Sequence, residues 1–141
     1  MKETTDLLSR LNNTSDEKSL KKYLDDIDGK NIAVRDYYNS FLIKNNMSAT
    51  DVIKAAGIDK SYGNQILNGT KKNPSIDKLI AIAIALKMNL DETNKLLQLS
   101  GQKMLYSKNK RDSIIIYAIN KKMSVMDTNY ELARYGEKEL Q

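Results

Sequence analysis

Apolar residues recur every three to four positions along this chain and nowhere alternate with period two for long, so the pattern predicts helices throughout. Thr4 to Leu11 forms a first short candidate. A second starts after Ser15, with Asp16 and Glu17 placed in its first turn to complement the helix dipole, and carries Leu20, Tyr23, Leu24 and Ile27 on one face. The stretch DIDGKN (26–31) predicts a break there, with Gly29 as the terminator. A third helix then lines up Val34, Tyr37, Tyr38, Phe41 and Leu42 and fades at KNN, 44–46.

The next segment, MSATDVIKAAGIDKSYGNQILNG (47–69), predicts two short helices around a tight corner. Ser48 caps the first, and Asp51 three residues on completes a reciprocal capping box. Val52, Ile53 and Ala56 form its buried stripe. Gly57 ends it, because the turn needs a positive φ, and Ile58 tucks into the corner. Asp59 caps the second helix, whose Tyr62, Ile66 and Leu67 point inward. NGTKKNP (68–74) reads as a loop.

The remainder repeats with a spacing of 35 residues. Segment 74–105 lies over 109–140 with 12 of 32 positions identical, against about two by chance. Each unit reads as a helix, a corner and a second helix, with the corner capped by Asn89 and Glu92 or by Ser124 and Asp127, and the unit closed by Gly101 or Gly136. The first helix of each is apolar nearly all round, which predicts burial on several sides and two stacked helical hairpins. Met88 and Met123, equivalent in the repeat, are expected in the core.

Composition narrows the chemistry. The chain of 141 residues has no cysteine and no histidine, which removes thiolate nucleophiles, zinc thiolate sites and the commonest general base. No glycine-rich phosphate loop, metal cluster or nucleophile–base pair is present in the sequence, so neither a catalytic residue, a metal site nor a cofactor is expected. The longest apolar run, LIAIAIAL (79–86), is far short of the roughly 20 residues of a membrane span, and the N-terminus lacks a signal-peptide block; a cytoplasmic protein is expected. The net charge of +5 is uneven: −1 over 1–30, +3 over 31–72, +1 over 73–105 and +2 over 106–141. The positive excess peaks over the two short helices, which suits a polyanionic partner.

The run SATDVIKAAGIDKSYGNQILNGTKKNPSIDKLIAIAIAL resembles the Cro/C1-type (XRE-like) helix-turn-helix domain of bacterial and phage regulators. The resemblance rests on the capped helix, Ala56 before the corner glycine, Ile58 after it, Ile66, the NG pair at 68–69 and PS opening the next helix. It covers about residues 33 to 100, and the additional hairpin is similar to that of some small bacterial regulators of this class. It implies a lambda repressor-like helix-turn-helix core and a transcriptional regulator, a repressor first of all, bound to double-stranded DNA as a homodimer. In that family the second helix of the pair enters the major groove. The base-facing residues it implies are Lys60, Ser61, Asn64 and Gln65, whose amide, hydroxyl and ammonium groups suit base edges. Ser48, Asn68, Thr70, Lys71 and Lys72 fall where the family touches phosphate.

Two positions depart from the family pattern. Ile53 stands where a small alanine is usual, and Gly63 stands where a bulky aliphatic anchors the second helix. A large-for-small exchange, with Ile53 filling the space Gly63 leaves, accounts for both. The resulting division is an N-terminal helical extension (1–30), the helix-turn-helix domain (31–105) and a C-terminal hairpin (106–141) that repeats 74–105. A rival reading is a non-catalytic protein-interaction module that keeps the helix-turn-helix shape, antitoxin-like or a phage or host regulatory partner, docking through the C-terminal hairpin or the N-terminal helices. Of the remaining charges, Lys108, Lys110 and Arg111 are expected in a solvated connector, and Tyr62 in packing rather than base contact.

Overall fold

The all-apolar segment at 79–86 is the centre of the molecule. In the computed structural model, which describes residues 17–141, Leu79 to Leu86 are all buried, as a helix without a polar face requires. Seven helices are described: α1 Glu17–Lys44, α2 Ala49–Ala56, α3 Lys60–Leu67, α4 Ile76–Ala85, α5 Leu90–Leu99, α6 Lys110–Asn120 and α7 Val125–Arg134. Among the described residues there is no strand, so the fold is all-α. The short helix expected at Thr4–Leu11 and the cap at Ser15 lie outside them.

The expected break at Gly29 is absent. α1 runs without interruption through DIDGKN to Lys44. One interior glycine costs a helix only about 1 kcal/mol, and the far end of α1 is anchored by Tyr38 and Phe41, both buried in the core. A Cβ at Gly29 would meet nothing within 4 Å, so no close approach calls for glycine there either. The division placed after residue 30 therefore falls inside a helix. Leu20 and Leu24, expected on an apolar face, are exposed.

Around α4, helix α2 packs on one side and α5 on another, while α1 lies across α3 and α5. Tyr37 ties α1 to α5 by donating its hydroxyl to the Glu92 carbonyl at 2.9 Å, and Asn45 donates to the Leu86 carbonyl at 2.6 Å.

Helices α4–α5 and α6–α7 share much of their construction at a spacing of 35 residues. Lys87 and Lys122 end the first helix of each pair at positive φ, 60° and 55°. Thr93 and Thr128 are buried and donate to the Asn89 and Ser124 carbonyls, each at 2.8 Å. Asn94 and Asn129 accept the Leu105 and Leu140 amides at 3.0 and 2.8 Å, fastening the tail of each unit back onto its second helix. Met88 is buried, and its counterpart Met123 is half-buried. The corners differ in one bond: Asn89 and Glu92 form a full capping box, whereas Ser124 accepts the Asp127 amide at 3.1 Å.

The second pair packs against α4 and α5. Arg111 is the clamp. Its guanidinium holds Asp77, at the start of α4, through two parallel bonds of 3.0 and 2.9 Å and also donates to the Lys138 and Glu139 carbonyls. Lys110 donates to the Tyr135 carbonyl at 2.9 Å. Two members of the expected solvated connector are thus structural, because the carboxylate and carbonyls they bind come from segments distant in sequence. Lys108 is exposed.

Candidate nucleic-acid interface

The site begins with the corner between α2 and α3. Ser48 and Asp51 form the reciprocal capping box: the Asp51 amide donates to Ser48 Oγ at 3.1 Å, and the Ser48 amide donates to Asp51 Oδ2 at 3.2 Å. Those bonds from Ser48, backbone first and then hydroxyl, with the Lys54 charge adding to them, hold the Asp51 carboxyl below its ordinary value. At the other end Gly57 adopts φ 69° and ψ 32°, and Ile58 donates back to the Ile53 carbonyl at 3.2 Å. This left-handed stop lets α3 leave at a steep angle, capped by Asp59 through the Tyr62 amide.

Helix α3 buries Gly63, Ile66 and Leu67, spaced i, i+3 and i+4. Its opposite face carries Lys60, Ser61 and Gln65, all exposed, and Asn64, half-buried. The two departures from the family pattern meet here. A Cβ built on Gly63 would lie 2.7 Å from Ile53 Cγ1, 2.9 Å from Cγ2 and 3.0 Å from Cδ1. The isoleucine on α2 therefore fills the volume that a side chain at 63 would take, and α3 remains seated against α2 without one.

The loop after α3 folds onto the helix end. The Thr70 and Lys71 amides both donate to the Gln65 carbonyl at 3.0 Å, and the Thr70 hydroxyl donates to Asn68 Oδ1 at 2.7 Å. Gln65, Asn68, Thr70 and Lys71 are thus one hydrogen-bonded unit. Within it the loop's own bonds occupy the Thr70 hydroxyl and two of the amides. Lys71 Nζ lies 4.6 Å from the centre of the Tyr62 ring, and Lys78 of α4 lies 5.3 Å from the same ring. Tyr62 Oη accepts the Ser75 amide in a long bond of 3.5 Å. The ring is half-buried packing that gathers two ammonium groups, in keeping with its expected role.

Lys78 was not among the residues singled out in the sequence. It stands just ahead of the apolar run, and only the fold brings it beside Lys71. Ser48 and Lys72 are exposed, with Ser48 at the start of α2 and Lys72 in the loop. The arrangement offers a convex helix face bearing amide, hydroxyl and ammonium donors, edged by lysines from the loop and from α4. Such a face can meet base edges and the phosphates beside them.

Residues 39–96 match the family model of the Cro/C1-type HTH DNA-binding domain. The match runs from the last third of α1 to the middle of α5 and includes every residue of the face just described. No curated protein and no solved structure matches the chain. The helix-turn-helix is thus supported by the family model and by the left-handed corner at Gly57, while α6 and α7 lie outside the matched segment.

Proposed function

We propose that the protein is a cytoplasmic, sequence-specific DNA-binding transcriptional regulator, a repressor in the first instance, and acts without catalysis. The observation that carries this reading is the intact seat of α3: Ile53 compensates for Gly63, so the helix keeps the position from which this class of domain enters the major groove. Lys60, Ser61, Asn64 and Gln65 read base edges. Ser48, Lys71 and Lys72 contact phosphate, and Asn68 and Thr70 shape the loop edge that meets the same strand. A homodimer would set two such helices about 34 Å apart on a palindromic site.

The test is gel-shift titration on DNA flanking the protein's own gene across a salt series. Phosphate contact gives a steep fall in affinity with salt. Lys60→Ala and Gln65→Ala are expected to cost about 1–3 kcal/mol on the preferred site and to flatten sequence preference, whereas Lys71→Ala weakens all sequences alike and lowers the salt slope by about 1. Equal affinity for the flanking DNA and for random DNA would overturn the regulator reading. The rival, a protein-interaction module that keeps only the helix-turn-helix shape, is favoured by the departure at Gly63 and by the modest positive charge; the packing of Ile53 answers the first of these.

A further inference from the structure

Helices α5 and α7 are the same element twice, and their outward faces differ in one respect. The outward positions of α5 are Asp91, Lys95 and Gln98; the equivalent positions of α7 are Met126, Tyr130 and Ala133. Met126 is 80% exposed and Tyr130 67%. Spaced i, i+4 and i+7, these three form one stripe on the side of α7 away from the buried Val125, Thr128 and Leu132.

In the first pair the charged face is bordered within the chain. Tyr37, Ser40, Phe41 and Lys44 of α1 line an open groove of about 400 Å³ with Asp91, Glu92 and Lys95. Lys95 Nζ lies 5.3 Å from the centre of the Tyr37 ring. Among the described residues no element covers the face of α7. On this face the first unit carries the charges and the second the methionine and the tyrosine.

The charges flanking the stripe identify the occupant. Asp127 and Arg134 lie one heptad apart on the same side of it, and Arg134, 60% exposed, lies 3.6 Å from Glu131 and 5.4 Å over the Tyr135 ring. Set antiparallel about a two-fold axis at Tyr130–Glu131, α7 and its copy bring Asp127 of each chain against Arg134 of the other. The same register brings the two Tyr130 rings together at the centre, with Met126 towards either end of the stripe. A surface whose two ends complement each other under a two-fold is the requirement of an isologous interface.

We infer that the outward face of α7 is the site at which two copies of this chain associate, through Met126 and Tyr130 with Asp127–Arg134 pairs at the ends. This rests on the dimeric part of the reading above, but not on DNA.

Sedimentation velocity of the full chain without DNA, over a concentration series, tests it. The wild type is expected to approach twice the single-chain mass of 16.0 kDa. Tyr130→Glu, an exposed substitution that leaves the helical circular dichroism unchanged, is expected to sediment as a single chain, whereas Lys95→Glu at the equivalent position of α5 leaves the dimer intact. Asp127→Arg weakens association at least tenfold, and adding Arg134→Asp restores it. A wild type that stays monomeric at every concentration, or a Tyr130→Glu variant that still dimerises, overturns the inference. A chain that dimerises through α7 yet ignores its own flanking DNA overturns the regulator reading and leaves this one standing.

Discussion

Adding one methyl group at Gly63 tests how α3 is held. Gly63→Ala gains about 1 kcal/mol of helix propensity but overpacks the α2–α3 contact, a class of change that costs about 1–3 kcal/mol. The methyl would lie 2.7–3.0 Å from three Ile53 atoms, well inside van der Waals separation, so the clash wins and the variant is less stable by up to about 2 kcal/mol. Ile53→Ala alone opens a cavity at a buried position and costs about 2–5 kcal/mol. In that background the three clashing atoms are gone and only the propensity gain remains. Gly63→Ala therefore changes sign there and stabilises the protein by up to about 1 kcal/mol. Urea denaturation followed by far-ultraviolet circular dichroism measures all four chains, with a constant m-value as the control for two-state unfolding. Equal effects of Gly63→Ala in the two backgrounds would refute the exchange, and with it the main structural support for DNA reading by α3.

Arg111→Ala should destabilise the chain by about 1–3 kcal/mol, below the 3–5 kcal/mol of a fully buried pair because the Arg111 and Asp77 side chains keep 24% and 14% exposure; the urea midpoint checks this. Burial pushes the Tyr38 phenol well above its ordinary 10.0, with the neighbouring Ser100 hydroxyl opposing weakly, and burial followed by the Glu92 charge raises Tyr37. Both groups therefore hold their protons longer in the folded chain than in the unfolded one. Their contribution to stability is complete below 10.0 and is lost as pH rises above it. The urea midpoint should fall steeply on the alkaline side, and less steeply in Tyr38→Phe. At neutral pH that substitution is expected to be neutral or to stabilise by about 1 kcal/mol, since the buried Tyr38 hydroxyl has no hydrogen-bond partner among the described residues.

Local chemistry made much of this fold legible. Ser48, Asp51, Gly57 and Asp59 act through bonds to residues within five positions, so their roles follow from spacing alone. The burial of α4 follows from its composition. Gly29 misled because a glycine signal is local while the continuity of α1 is decided by the packing of its far end. Arg111 and Lys110 were read as solvated because their partners, Asp77 and the carbonyls of 135, 138 and 139, are distant in sequence. Lys78 was hidden for the same reason, since its place beside Lys71 depends on the Tyr62 ring that both approach. The exchange between Ile53 and Gly63 lay between these extremes. Two departures at facing positions suggested it, and the Cβ distances give it a physical basis.

The internal repeat separates scaffold from surface within a single chain. Of the twelve positions at which the two units agree, Thr93/Thr128 cap a helix from inside, Asn94/Asn129 fasten the tail, Lys87/Lys122 and Gly101/Gly136 take the left-handed stops, and Ile80/Ile115, Ala83/Ala118 and Leu97/Leu132 fill the core. Lys103/Lys138 agree although both are exposed, and nothing in the structure explains the Lys103 side chain. Two positions that disagree in polarity are exposed in both units: Asp91 against Met126, Lys95 against Tyr130. Ile82 against Tyr117 follows the same division, buried where α2 packs on α4 and 49% exposed on α6. A core requirement cannot explain the first two pairs, because Asp91, Lys95, Met126 and Tyr130 are all exposed. What each face meets explains them: α1 and α2 border the first unit, and among the described residues nothing covers the outward face of α7 in the second.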